Sequence, residues 1–177
     1  LILNTYGSVV NGLLNSITQF LGFISLCELG VTAVVQSALY KPLASKDQKQ
    51  INRIMTSARR FFRKIGCLLV VYTIVLIIVY PQIVRNFDFA YTAVLIFAVS
   101  INLFSQYFFG INAQILLKSD QRAYVPIGFD VLTSIVNVIL CFFLIKGNCS
   151  VQVFKLVSSL VFLVKPIVLW LYVKKDY

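Results

Sequence analysis

The chain has 177 residues, 59% of them hydrophobic and only 12% charged, with a mean hydropathy of +0.88. A soluble domain carries about a quarter charged residues, so an ordinary soluble fold is excluded. The formal net charge of +10 raises nucleic acid as a partner, but the basic residues cluster at the ends of apolar segments, where anionic headgroups attract them. No basic-aromatic recognition module accompanies them.

Five apolar segments follow one another, each near the ~20 residues that an α-helix needs to cross ~30 Å of hydrocarbon. The first runs from about Tyr6 to Cys27, within an uncharged stretch that begins at Leu1. Between it and the second lies a long basic stretch with a helical signal over about residues 46–64. There Ile51, Ile54, Met55, Ala58, Phe61, Phe62 and Ile65 recur at helical spacing, with Arg53, Arg59, Arg60 and Arg63 off that stripe. Ser45 with Gln48 three residues on makes a capping box. The expectation is an amphipathic helix lying on the inner leaflet and turning into the second segment; a partner-binding helix or a solvated loop fits the same residues.

The second segment spans Ile65 to Val84, with Pro81 near its end, where a helix stops without harm to its interior. The third lies within Phe89 to Leu117 and is expected to end near Asn112. The fourth, Ala123 to Ile145, and the fifth, Val151 to Val173, are joined by the short polar turn from Lys146 to Ser150, which predicts an antiparallel hairpin. Together these segments predict an all-α, polytopic bundle of about five spans.

Lysine and arginine fix its orientation. One set of loops, around residues 41–64, 118–122 and 174–175, holds twelve of them, and the opposite set only Arg85 and Lys146. The first set is therefore expected in the cytoplasm, with the amino end outside. Leu1 opens the chain with neither a methionine nor a signal peptide, so it reads as a piece of something longer.

Polar residues inside the spans form stripes. Asn11, Asn15, Thr18, Gln19 and Gly22 share a face of the first segment, as do Asp130, Thr133, Ser134, Asn137 and Cys141 of the fourth, and Asn102, Ser105, Gln106 and Gly110 of the third. Lipid satisfies none of these groups, so each stripe is expected to face either a neighbouring helix or water. Three stripes in five helices favour a hydrated interior.

Charges within the spans are fewer. Counted from the turn near Asn148, Asp130 and Lys165 stand at matching depth, which predicts an ion pair across the hairpin; the alternative is a Lys165 that snorkels along its own stem and an Asp130 that faces water. Lys155, Ser158, Ser159 and Lys165 fall in one arc of the fifth segment, so this helix offers two cations to an anionic ligand, although Lys155 is also placed to reach the outer headgroups. Pro166 removes a backbone hydrogen bond and is expected to kink the helix. Asn148, Cys149 and Ser150 form a sequon too short to carry weight.

Catalytic and metal chemistry find no support. Histidine is absent, six acidic residues are scattered, and Cys27, Cys67, Cys141 and Cys149 lack the spacing of a disulfide framework or a metal knuckle. Neither an enzyme nor a cofactor is expected. A membrane polymerase or glycosyltransferase would want a large extramembrane loop with carboxylates, and the outer loops are a few residues long.

The strings "LCELGVTAVVQSALYKPLA" (Leu26 to Ala44), "SKDQKQINRIMTSARRFFRKIG" (Ser45 to Gly66) and "FFGINAQILLKSDQRAYVP" (Phe108 to Pro126) resemble bacterial Wzx-like polysaccharide flippases of the multidrug/oligosaccharidyl-lipid/polysaccharide superfamily. The resemblance is strongest over residues 22–66. It implies the amino-terminal half-bundle of a transporter, lacking its first helix, in the bacterial cytoplasmic membrane. The implied substrate is an oligosaccharide linked to a polyprenyl pyrophosphate and moved between leaflets by alternating access. The partners implied are that lipid-linked oligosaccharide, anionic membrane lipids and polysaccharide assembly proteins, with no nucleic acid. On this reading Asn11, Asn15, Gln19, Glu28, Asp130, Asn137, Lys155 and Lys165 are the substrate-contact candidates. Glu28 belongs to the family's ELG string, and a gate contact and a local helix-end contact fit it equally. Family members often carry cavity arginines, whereas only lysines lie within these spans. A cation-coupled multidrug antiporter of the same fold, and a non-catalytic membrane subunit, are the alternatives.

Overall fold

The computed structural model describes residues 2–83, 87–147 and 149–176; Arg85, Asn148 and the side chain of Cys27 lie outside the described residues. Among the described residues the fold is all-helical. The elements are α1 (Ile2–Gly22), a 3₁₀ turn (Phe23–Cys27), α2 (Leu29–Ala44), α3 (Gln48–Ile83), α4 (Phe89–Ser105), a π-helical turn (Gln106–Gly110), α5 (Ile111–Ser119), α6 (Tyr124–Lys146) and α7 (Val151–Asp176). Five helical runs are long and apolar enough to cross a membrane: Gly7–Leu26, Gln48–Ile83, Phe89–Ser119, Tyr124–Lys146 and Val151–Lys175. This is a multi-pass membrane protein.

Two predicted boundaries move. The 36 residues of α3 form one helix, about 54 Å long at 1.5 Å per residue, far more than the hydrocarbon requires. The amphipathic stretch therefore does not turn onto a leaflet; it continues the span beyond the bilayer. Protein covers its apolar stripe: Ile51, Ala58, Phe62 and Ile65 are buried in one cluster with Leu39 of α2 and with Ile115 and Leu116 of α5. The third span likewise runs on past Asn112 to Ser119 through the π-helical turn.

Helix α2 falls in the stretch between the first two predicted segments. Val31, Val35, Leu39 and Leu43 recur every fourth residue and join the same cluster, one face of a helix by spacing. Its end is also capped differently from expectation. Ser45 Oγ donates back to the carbonyl oxygens of Lys41 and Pro42, at 3.1 and 3.3 Å. Asp47 Oδ1 accepts from the Gln50 amide at 3.1 Å, so Asp47 caps α3. Lys46 between them adopts φ 54°, the left-handed turn that reverses the chain.

Outside the bilayer, burying a Leu, Ile or Phe contributes about 1.5–3 kcal/mol, which is what joins α2, α3 and α5 at the basic end. Inside it lipid is as apolar as leucine, and close approach and hydrogen bonds must hold the helices instead. Small residues supply that approach. A Cβ at Gly110 would meet the Pro166 ring at 3.1 Å, and one at Gly66 would meet Phe108 at 3.2 Å. The buried Ser159 hydroxyl of α7 donates to the Ala98 carbonyl of α4, and Thr73 of α3 bonds Ser100 of α4 at 3.5 Å. Helix α4 is thus central, between α3 and α7, while α6 packs chiefly on α7. α7 runs as one helix through Pro166.

Candidate functional site

The candidate site begins with what α1 does with its two faces. Leu13, Leu14, Ile17 and Leu21 are buried against the bundle. Tyr72 of α3 donates to the Phe20 carbonyl at 2.9 Å, and the Phe20 ring meets Tyr80 edge-on at 5.7 Å. On the other side Asn15, Thr18 and Gln19 are exposed, and Asn11 is half-buried. Thr18 turns its hydroxyl back to the Leu14 carbonyl at 2.8 Å, the local bond open to a threonine with no partner helix. Gly7, at φ 87° and ψ 167°, breaks α1 in a backbone region that glycine adopts without strain, so the straight span starts there.

The second part is α6. Asp130, Ser134, Asn137 and Cys141 lie within an arc of about 60° at 100° per residue. Asp130 and Ser134 are exposed, while Asn137 and Cys141 are half-buried, with the Cys141 thiol 3.6 Å from the Asn137 amide oxygen. Thr133 alone of that group is buried, where it donates to the Phe129 carbonyl at 2.7 Å.

The hairpin between α6 and α7 brings Asp130 and Lys165 together. The Lys165 ammonium donates to Asp130 Oδ1. The pair is asymmetric: the lysine side chain is 6% exposed and the aspartate 55%. Lys165 therefore does not snorkel, and its charge is held inside the bundle by a carboxylate whose far side is open. A second cation does not join it. Lys155 stands ten positions earlier, about 15 Å along the axis, with its ammonium 5.9 Å from the Phe154 ring. Ser159, between them, is taken up by the Ala98 carbonyl. The expected two-cation arc is thus divided into separate local contacts.

The α4 stripe also departs from expectation. Ser105 and Gly110 are buried, and Asn102 and Gln106 are half-buried. At Gly110 the stripe serves helix packing, because a Cβ there would meet the Pro166 ring of α7 at 3.1 Å.

Glu28 lies at the junction of the 3₁₀ turn and α2, apart from the α1 and α6 faces. It is half-buried, and Tyr107, in the π-helical turn, is its hydrogen-bond partner. Burial pushes its carboxyl above the ordinary value of about 4.5, and the Tyr107 bond partly offsets the rise. Nothing in the sequence announces Tyr107; only the fold pairs a π-helical turn with a 3₁₀ turn. Among the described residues no three His, Cys, Asp or Glu side chains converge on a metal site.

No family description, no curated protein and no solved structure matches this chain.

Proposed function

We propose that this chain forms part of a membrane transporter that carries an oligosaccharide linked to a polyprenyl pyrophosphate across the bacterial cytoplasmic membrane. One observation carries the reading: within the spans, α1 and α6 leave amide and hydroxyl groups exposed, and the Asp130 carboxylate stays 55% exposed although Lys165 of α7 holds one of its oxygens. Hydrocarbon makes such faces costly, so water, substrate or further protein must meet them. Asn, Gln and Ser exchange hydrogen bonds readily with sugar hydroxyls, as a hydrophilic cargo requires. The apolar exterior lets a polyprenyl tail stay in lipid.

A cation-coupled drug antiporter would need Asp130 free to trade Na⁺ or H⁺. Here Lys165 already neutralises it, which favours the uncharged glycan path. The test is transbilayer movement of a fluorescent lipid-linked oligosaccharide in proteoliposomes of the full-length protein. Replacing both Asn15 and Asn137 with leucine should slow flipping on the order of tenfold or more, a loss of about 1.4 kcal/mol or more of differential binding. Unaltered flipping, or ion-driven efflux of a cationic dye instead, would overturn the proposal.

A further inference from the structure

A separate groove opens at the basic end, where the N-terminal part of α3, helix α5 and the end of α7 meet. Its two adjoining cavities, of about 400 and 230 Å³, share Met55, Arg59, Trp170 and Val173 in their walls. Arg63 enters one and Lys174 the other. Arg59 and Arg63 are four residues apart on α3 and so lie on one face, about 6 Å from each other. Lys174 places its ammonium 5.3 Å from the centre of the Trp170 ring. Among the described residues no acidic side chain lines either cavity, whose walls hold the three cations Arg59, Arg63 and Lys174. The level is that of a headgroup layer: the apolar part of α3 begins just beyond Arg63, and tryptophan favours that interface.

Two further features narrow the occupant. Phe108 and Phe109 wall the membrane side of the smaller cavity, where an acyl chain would enter. Asn112, also in that wall, is only 6% exposed, and its Oδ1 accepts no hydrogen bond among the described residues. A buried carbonyl-type acceptor calls for a donor, and an anion's oxygens supply none. From these we infer that the groove is a binding site for an anionic phospholipid whose headgroup joins a phosphodiester to free hydroxyls, of the phosphatidylglycerol type. Arginine forks take the phosphate, which they match in a bidentate way. A glycerol hydroxyl reaches Asn112, and the chains leave past the phenylalanines.

Trp170 is the sole tryptophan of these 177 residues and reports on the groove directly once any tryptophan elsewhere in the full-length protein is replaced by phenylalanine. In mixed micelles of the full-length protein, brominated phosphatidylglycerol should quench Trp170 at lower mole fraction than brominated phosphatidylcholine. Arg59→Gln and Arg63→Gln should each weaken that preference about fivefold, and Arg53→Gln, outside the groove, should leave it intact. Phosphatidylmethanol, which has the charge without the hydroxyls, should rank between the two lipids. Equal quenching by the charged and zwitterionic lipids would overturn the inference, as would an equal loss with Arg53→Gln. Displacement of the lipid by millimolar inorganic phosphate would point to a soluble anion and overturn it too. Phosphatidylmethanol equal to phosphatidylglycerol would overturn the hydroxyl-bearing headgroup and its bond to Asn112.

Discussion

Helices α4 and α6 carry similar polar stripes, yet the fold treats them in opposite ways. On the α4 stripe Ser105 is buried, and Gly110, in the π-helical turn that follows, seats the Pro166 ring. On α6 the equivalent groups stand on a helix with a single main neighbour, and a Cβ added at Gly128 would meet nothing within 4 Å. A run of polar residues at helical spacing therefore reports only that one face rejects lipid. Whether protein or water meets it depends on the small residues alongside, which set how closely a second helix can come.

The sharpest way to break this comparison is the ion pair, which joins the enclosed α7 to the open α6. Asp130→Ala would leave the enclosed Lys165 ammonium unpaired, at roughly 2–4 kcal/mol. Lys165→Leu, which leaves only the half-open Asp130, should cost about 1 kcal/mol. The double variant should recover most of the aspartate's loss in thermal unfolding of the full-length protein. Additive losses would mean that the two residues act independently.

A smaller effect separates the glycines. Gly110→Leu should cost about 1–3 kcal/mol through overpacking against Pro166, whereas Gly128→Leu should stay within about 0.5 kcal/mol. Ser159→Ala should cost about 1 kcal/mol by orphaning a buried bond, and Ser134→Ala close to nothing. Equal costs in either pair would erase the distinction between packed and open faces.

Smallest is the pH response at Glu28, which belongs to neither stripe. Its folded-state pKa is raised, so its contribution to stability is fully present below about 4.5 and is lost as pH rises through the raised value. Glu28→Gln should flatten unfolding across that window, and an unchanged pH profile would contradict the assignment.

The spans were legible in the sequence because hydrocarbon thickness sets their length and charges punctuate them. The depth match of Asp130 and Lys165 was legible for a similar reason: a short turn fixes the register of a hairpin. Helix α2 was hidden because Lys41 and Pro42 near its end imitate a loop, while the partners of Val31, Val35 and Leu39 lie far along the chain. The fate of the α4 stripe was hidden too, since Gly110 acquires its meaning only from Pro166. The groove around Trp170 is not legible in the sequence because its walls come from three distant segments, although the four-residue spacing of Arg59 and Arg63 is a sign of it.

The central claim, that the polar faces of α1 and α6 meet water while that of α4 does not, is tested most directly by aqueous maleimide labelling in native membranes. Single cysteines would be placed at Asn15, Asn137, Ser105 and Val138, in a chain whose own four cysteines are replaced by serine. Labelling at Asn15 and Asn137, with Ser105 and Val138 protected, is the predicted result. Protection of Asn15 and Asn137 to the same degree as Ser105 would contradict it.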